Sequence, residues 1–222
     1  MLTALRLLTR LQRLCNVRLL ATLLLLTAIP AAHAEQAVSR HSLTLYHGHG
    51  VDEDLLELPG DLVRGSVEWD ESYFTALGYR YGTITPRPLA RLFDWVHMGD
   101  ATTGIELVAV KHRGLQSNWE ADFAYAIRSP YAALGPVCVR FGFSLGVSYA
   151  FGTPSYEDGP VDDPEERYRF QNYNAYELEW GLSRFPRVSL VTRVHHRSGV
   201  YGLIAPRRVG SNFISLGLRG YP

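Results

Sequence analysis

Beyond residue 40 the chain alternates apolar and polar positions with a period of two, most clearly over 137–151. There Val137, Val139, Phe141, Phe143, Leu145, Val147, Tyr149 and Phe151 alternate with Cys138, Arg140, Gly142, Ser144, Gly146, Ser148 and Ala150. Successive side chains of a strand point to opposite faces, so one face here is wholly apolar and the other small or polar. The same pattern sets Trp119, Phe123, Tyr125 and Ile127 against Glu120 and Asp122, and Tyr176, Leu178 and Trp180 against Glu177 and Glu179. Eight such segments follow one another, at about 40–49, 72–82, 104–113, 118–128, 137–151, 170–183, 187–198 and 211–221. The expected fold is all-β, an eight-stranded antiparallel transmembrane barrel of the outer-membrane type, apolar outside and polar within. A soluble barrel or sandwich would alternate in the same way with its apolar face inward, so periodicity alone leaves both open. Strand length and the Tyr, Trp and Phe residues at strand ends favour the membrane. An eight-stranded barrel is filled by its own side chains, which argues against a wide pore.

An even strand number puts both termini on the periplasmic side. The connection 152–169, acidic and proline-containing, then reads as an external loop, and Ser183 to Pro186 as a short periplasmic turn. Residues 83–103 are long for the periplasmic side. Leu89, Leu92, Phe93 and Val96, with Pro88 near the start, predict a short amphipathic helix, lying at the membrane surface or plugging the barrel end. Residues 50–71 are similarly long and leave room for a further strand.

The first 34 residues carry Arg6, Arg10, Arg13 and Arg18, an apolar run from Leu19 to Ile29, and Ala32-His33-Ala34 as a cleavage site, so 1–34 reads as a signal peptide and 35–222 as a single barrel domain. Cys15 lacks the small flanking residues of a lipidation site, which leaves Cys138 as the one mature cysteine and no disulfide within the exported chain. The formal net charge of +0 gives no argument for a nucleic-acid partner.

Candidate chemistry lies in the seventh segment. Val188, Leu190, Thr192 and Val194 are two apart, so His196 and Ser198 continue the apolar face at the external end, while His195 and Arg193 point inward. Serine becomes a nucleophile when a neighbouring base takes its proton, and His196 is placed to do so. Glu120, Asp122, Glu177 and Glu179 with Arg140 and Arg193 are expected to form a charge network inside the barrel. Arg197, Arg207 and Arg208 flank the pair, and guanidinium groups suit lipid phosphates or simply keep a loop soluble. His47 and His49 share a face but have no accompanying metal-ligand motif, and no cofactor fingerprint occurs, so neither metal nor cofactor is expected.

From about Gly135 to Pro222, the stretches GPVCVRFGFSLGVSYAFG, NYNAYELEWGLS, VSLVTRVHHRSGVYGL and GSNFISLGLRGY resemble the outer-membrane lipid A 3-O-deacylase (PagL-like) family. Members end in a strand, a His-x-Ser pair, a loop and a last strand bearing an acid. The resemblance implies a serine esterase of the Gram-negative outer membrane that removes an ester-linked acyl chain from the lipid A of lipopolysaccharide, as a monomer or homodimer. It makes His196 the base and Ser198 the nucleophile. No Asp or Glu follows Glu179, and Asn212 stands where the acid is expected, so the resemblance implies an orienting group without charge and a slower enzyme. Gly199 follows the serine where the family can carry Asn, which leaves oxyanion stabilisation to backbone N–H groups. The alternatives are a structural barrel that has lost its triad acid and a soluble exported barrel binding an apolar ligand.

Overall fold

A computed structural model describes residues 39–160, 162–163 and 165–222. The expected signal peptide, its expected cleavage site and Cys15 lie outside these residues. The strands are β1 (His41–Val51), β2 (Trp69–Thr83), β3 (Thr102–Gly114), β4 (Trp119–Arg128), β5 (Ala132–Leu134), β6 (Val137–Phe151), β7 (Phe170–Leu182), β8 (Val188–Ser198) and β9 (Gly210–Gly220). Each long strand pairs antiparallel with the next, and β9 pairs with β1 to close an eight-stranded barrel; β5 only extends a hairpin with β6. All eight predicted segments are present.

The two long connections hold helices rather than extra strands. Helix α1 (Leu58–Arg64) carries Pro in its first turn, where no N–H partner is needed, and stops at Gly65 in the left-handed conformation. Helix α2 (Arg87–Trp95) buries Phe93 but leaves Leu92 and Trp95 49% and 78% exposed. A plug would bury those side chains, so α2 is a surface helix at the end of the barrel that carries both termini.

The faces are sorted as in a membrane barrel. Leu43, Leu45, Leu77, Leu107, Phe123, Leu145, Leu216 and Leu218 are exposed on the outside, whereas Arg193, Arg219, Glu120 and Glu177 are buried within. An apolar exterior over a charged interior is the inverse of a soluble barrel, and the soluble alternative fails on this point. Trp69, Trp119, Tyr149 and Phe151 girdle the rim opposite the termini, called here the far rim, and Tyr79, Tyr81 and Trp180 lie toward the other.

The interior is filled in three layers. Around the middle, Tyr46, Phe74, Val108, Val110, Tyr173 and Phe213 pack together. Glycines make room for the rings: a Cβ at Gly217 would come 2.5 Å from Tyr46, and one at Gly48 would run into Phe74. Toward the termini, Arg219 bridges Glu177 and Glu179, while Arg193 bridges Glu177 and Glu106. Toward the far rim, Glu120 contacts His112, His195 and Arg197. The charge network expected inside the barrel is therefore present in two clusters. Cys138 is buried and unbonded to another cysteine among the described residues.

Candidate active site on the outer wall

The last residues of β8 and the first of β9 build the site. Alternation carries Val188, Leu190, Thr192, Val194, His196 and Ser198 up the outer face of β8 to the far rim. Antiparallel pairing sets His196 directly opposite Asn212 on β9 and Asn174 on β7, and Ser198 opposite Gly210 and Asn172. Directly paired residues have Cβ atoms about 5 Å apart, within reach of a hydrogen bond between side chains.

His196 Nδ1 and Asn212 Oδ1 are 2.7 Å apart. The amide nitrogen of Asn212 donates to the Glu53 carbonyl at 2.8 Å, so its oxygen is the atom turned to the ring. An amide oxygen can only accept, and Nδ1 must therefore carry the proton. Nε2 is left as the basic nitrogen. Asn212 is only 9% exposed, with the chain after β1 folded over it, and the carboxylate of Asp54 in that chain acts electrostatically on the imidazole. A sequence search confined to the residues after Glu179 passes over that acid.

Ser198 shares the outer face with His196, two residues on, and among the described residues no hydrogen bond joins the two side chains. After it the backbone turns sharply. Val200 and Tyr201 have φ of 49° and 53°, a region costly for residues with a Cβ and most of all for a β-branched one. Gly199 lies against the carbonyls of Ala205 and Pro206, and a Cβ there would collide with both.

Two further outer-face residues belong to this patch. Asn174 donates to Asn172 Oδ1 at 2.7 Å, and Asn172 donates to the Gly146 carbonyl at 2.8 Å. Asn174 Oδ1 is buried and has no hydrogen-bond partner among the described residues. The signal for them was in the sequence: Phe170, Asn172, Asn174, Tyr176 and Leu178 share a face, and two successive amides on a lipid-facing stripe break its pattern.

The three arginines separate. Arg207 and Arg208 are exposed in the β8–β9 loop at the same rim. Arg197, expected beside them at the lipid headgroups, is instead turned by its register into the barrel, where it is 1% exposed and ion-paired with Glu157 and Glu120, out of reach of a headgroup. His195 likewise faces inward onto Glu120. His47 and His49 stack on Tyr73 outside, and His49 Nε2 donates to the Asp70 carbonyl at 2.8 Å.

No family model matches the sequence, and no curated protein matches it. Among solved structures the chain is similar to the outer membrane enzyme PagL, at 12% identity and a TM-score of 0.50, over 80% of this chain and 97% of that one. It is also similar to Neisserial surface protein A, at 12% identity and a TM-score of 0.47, over 83% and 98% of the two chains. A third is Ail, the attachment invasion locus protein of Yersinia pestis, at 12% identity and a TM-score of 0.34, over 82% and 99%. What the likeness to PagL establishes is the fold alone, a closed eight-stranded antiparallel β-barrel like that of an outer-membrane protein.

Proposed function

We propose that the protein is an outer-membrane serine esterase that removes an ester-linked acyl chain from the lipid A of lipopolysaccharide. The reading rests above all on the His196–Asn212 hydrogen bond, which leaves Nε2 free as a base on the lipid-facing wall beside Ser198. A soluble substrate would not need its nucleophile there.

In this mechanism His196 Nε2 takes the Ser198 proton as Oγ attacks the ester carbonyl. The oxyanion that forms is held by N–H groups of the turn at Gly199 and Val200. The imidazolium then gives its proton to the leaving alkoxide, and the acyl chain stays on Ser198 until water, activated by the same nitrogen, releases it. Asn212 orients the ring without charging it, and Asp54 supplies remote negative charge to the imidazolium. Asn174 Oδ1 is an acceptor in place for a substrate hydroxyl or amide N–H. Arg207 and Arg208 are suited to the phosphates, and Leu190, Leu216 and Leu218 form an apolar groove on the same wall for acyl chains.

The test is mass spectrometry of lipid A from cells expressing the chain and its Ser198→Ala and His196→Ala variants, each checked for insertion by heat-modifiable electrophoretic mobility. The expected result is loss of one acyl chain with the parent and a drop on the order of 10⁴-fold in rate with either variant. Identical spectra for parent and variants, all inserted, would favour a structural barrel instead.

A further inference from the structure

We infer that the far-rim half of the barrel interior holds one divalent transition-metal ion, with Glu120, Asp122 and His195 as its protein ligands. Glu120 and Asp122 come from β4 and His195 from β8, strands that are not neighbours in the barrel wall. One ligand atom from each lies within 4.8 Å of the others.

The first reason is a pair of orphaned oxygens. Asp122 is 2% exposed, and among the described residues neither of its carboxylate oxygens has a partner in good hydrogen-bond geometry. Ser148, its cross-strand neighbour on β6, has a buried and equally unpartnered Oγ. A buried carboxylate with neither oxygen in good hydrogen-bond geometry is uncommon in folded proteins, and a bound cation would satisfy it.

The second reason is charge. Glu120 and Asp122 are both at least 98% buried, and among the described residues the guanidinium that reaches this cluster, Arg197, is ion-paired with Glu120 and Glu157 and not with Asp122. An uncompensated buried carboxylate is expensive, and a divalent cation beside Asp122 offsets that cost.

The third is geometry. His195 Nε2 and Glu120 Oε1 are 2.8 Å apart, close to the roughly 3 Å separating adjacent ligand atoms on one ion with bonds of about 2.1 Å. Behind them, His112 Nδ1 accepts from Gln116 at 2.9 Å, so its Nε2 donates to Glu120 Oε2 at 3.1 Å and fixes that carboxylate from the far side. On binding, the Nε2 proton of His195 moves to Nδ1 and the freed lone pair goes to the metal. An imidazole with two carboxylates suits zinc or a neighbouring first-row ion better than calcium or magnesium. The ion would tie β4 to the strand whose outer face carries His196 and Ser198.

The test uses the full protein, stripped with chelator in urea and refolded in detergent with or without zinc chloride, folding being judged by electrophoretic mobility. Expected are about one equivalent of zinc retained after gel filtration and an unfolding temperature higher by about 5 °C or more with zinc. Both should vanish in Asp122→Asn and in His195→Gln, which keeps a donor toward Glu120. Both should survive in the double variant His47→Asn, His49→Asn, which removes the exposed imidazoles. Retention of zinc by the two interior variants, its loss from the outer-face double variant, or no zinc effect on the parent would each overturn the proposal.

Discussion

Asn212 decides how the candidate chemistry works at the scale of single residues. Its oxygen holds the proton of His196 on Nδ1, and Asp54 adds negative charge only from a distance. Asn212→Asp should keep the hydrogen bond to His196 and add a charge that strengthens as the imidazolium forms, while losing the donor to the Glu53 carbonyl, for a net gain of at most about 1–2 kcal/mol or roughly tenfold in rate, read from deacylation time courses. Asn212→Leu removes the acceptor, frees the ring to turn, and should lower the rate by about 10²-fold or more. Equal rates for the Asp and Leu variants would mean that Asn212 does not orient the base. The His-x-Ser pair and Asn212 were legible from alternation and resemblance, because a strand's period fixes which face a residue takes. The same period applies to Arg197: as the odd residue between His196 and Ser198 it points inward, away from the headgroups its flanking position suggests. Asn172, Asn174 and Asp54 could be grouped with the site only after strand register was known.

At the scale of elements, the connection after β6 closes the far rim. Tyr156 packs on Phe213 and donates to Asp70 at 2.7 Å, and Glu157 enters the barrel to meet Arg197 and Gln171. Burial pushes the Glu157 carboxyl up to about 7 from 4.5, and the attraction of Arg197 only partly opposes this; Glu120, also facing it, pushes the same way as burial. The folded chain thus holds this proton more tightly than the unfolded chain. The resulting stabilisation is complete below about pH 4.5 and is lost as the pH rises through 7, by no more than about 3 kcal/mol. Hydrogen exchange of residues 153–159 should accelerate from pH 5 to pH 8 beyond the intrinsic base dependence, and Glu157→Gln should flatten that excess. Equal excess in the variant would remove Glu157 as its source. The sequence marked this stretch as an acidic external loop, but composition could not indicate that one of its acids turns inward, since that depends on Arg197 waiting inside.

For the whole molecule, the dominant fact is the sorting of faces, leucines and aromatics outward and ion pairs inward. Arg219 is fully buried between Glu177 and Glu179 and also donates to Thr44 and Tyr46. Arg219→Met should leave two carboxylates short of a partner and cost about 3–5 kcal/mol in urea unfolding from vesicles followed by tryptophan fluorescence. A cost below about 1 kcal/mol would mean that the remaining arginines re-pair with both acids. By itself the sequence determined the eight strands, their two faces and the position of His196 and Ser198, because each follows from a period of two and from where turns interrupt it. Only the tertiary structure decided which strands meet and in what register. It alone turned Asn212 onto His196, brought Asp54 over the wall, and gathered Glu120, Asp122 and His195 at one point inside. The bond from Asn212 to Glu53 joins residues 159 positions apart, and such meetings depend on barrel closure, which no local pattern encodes.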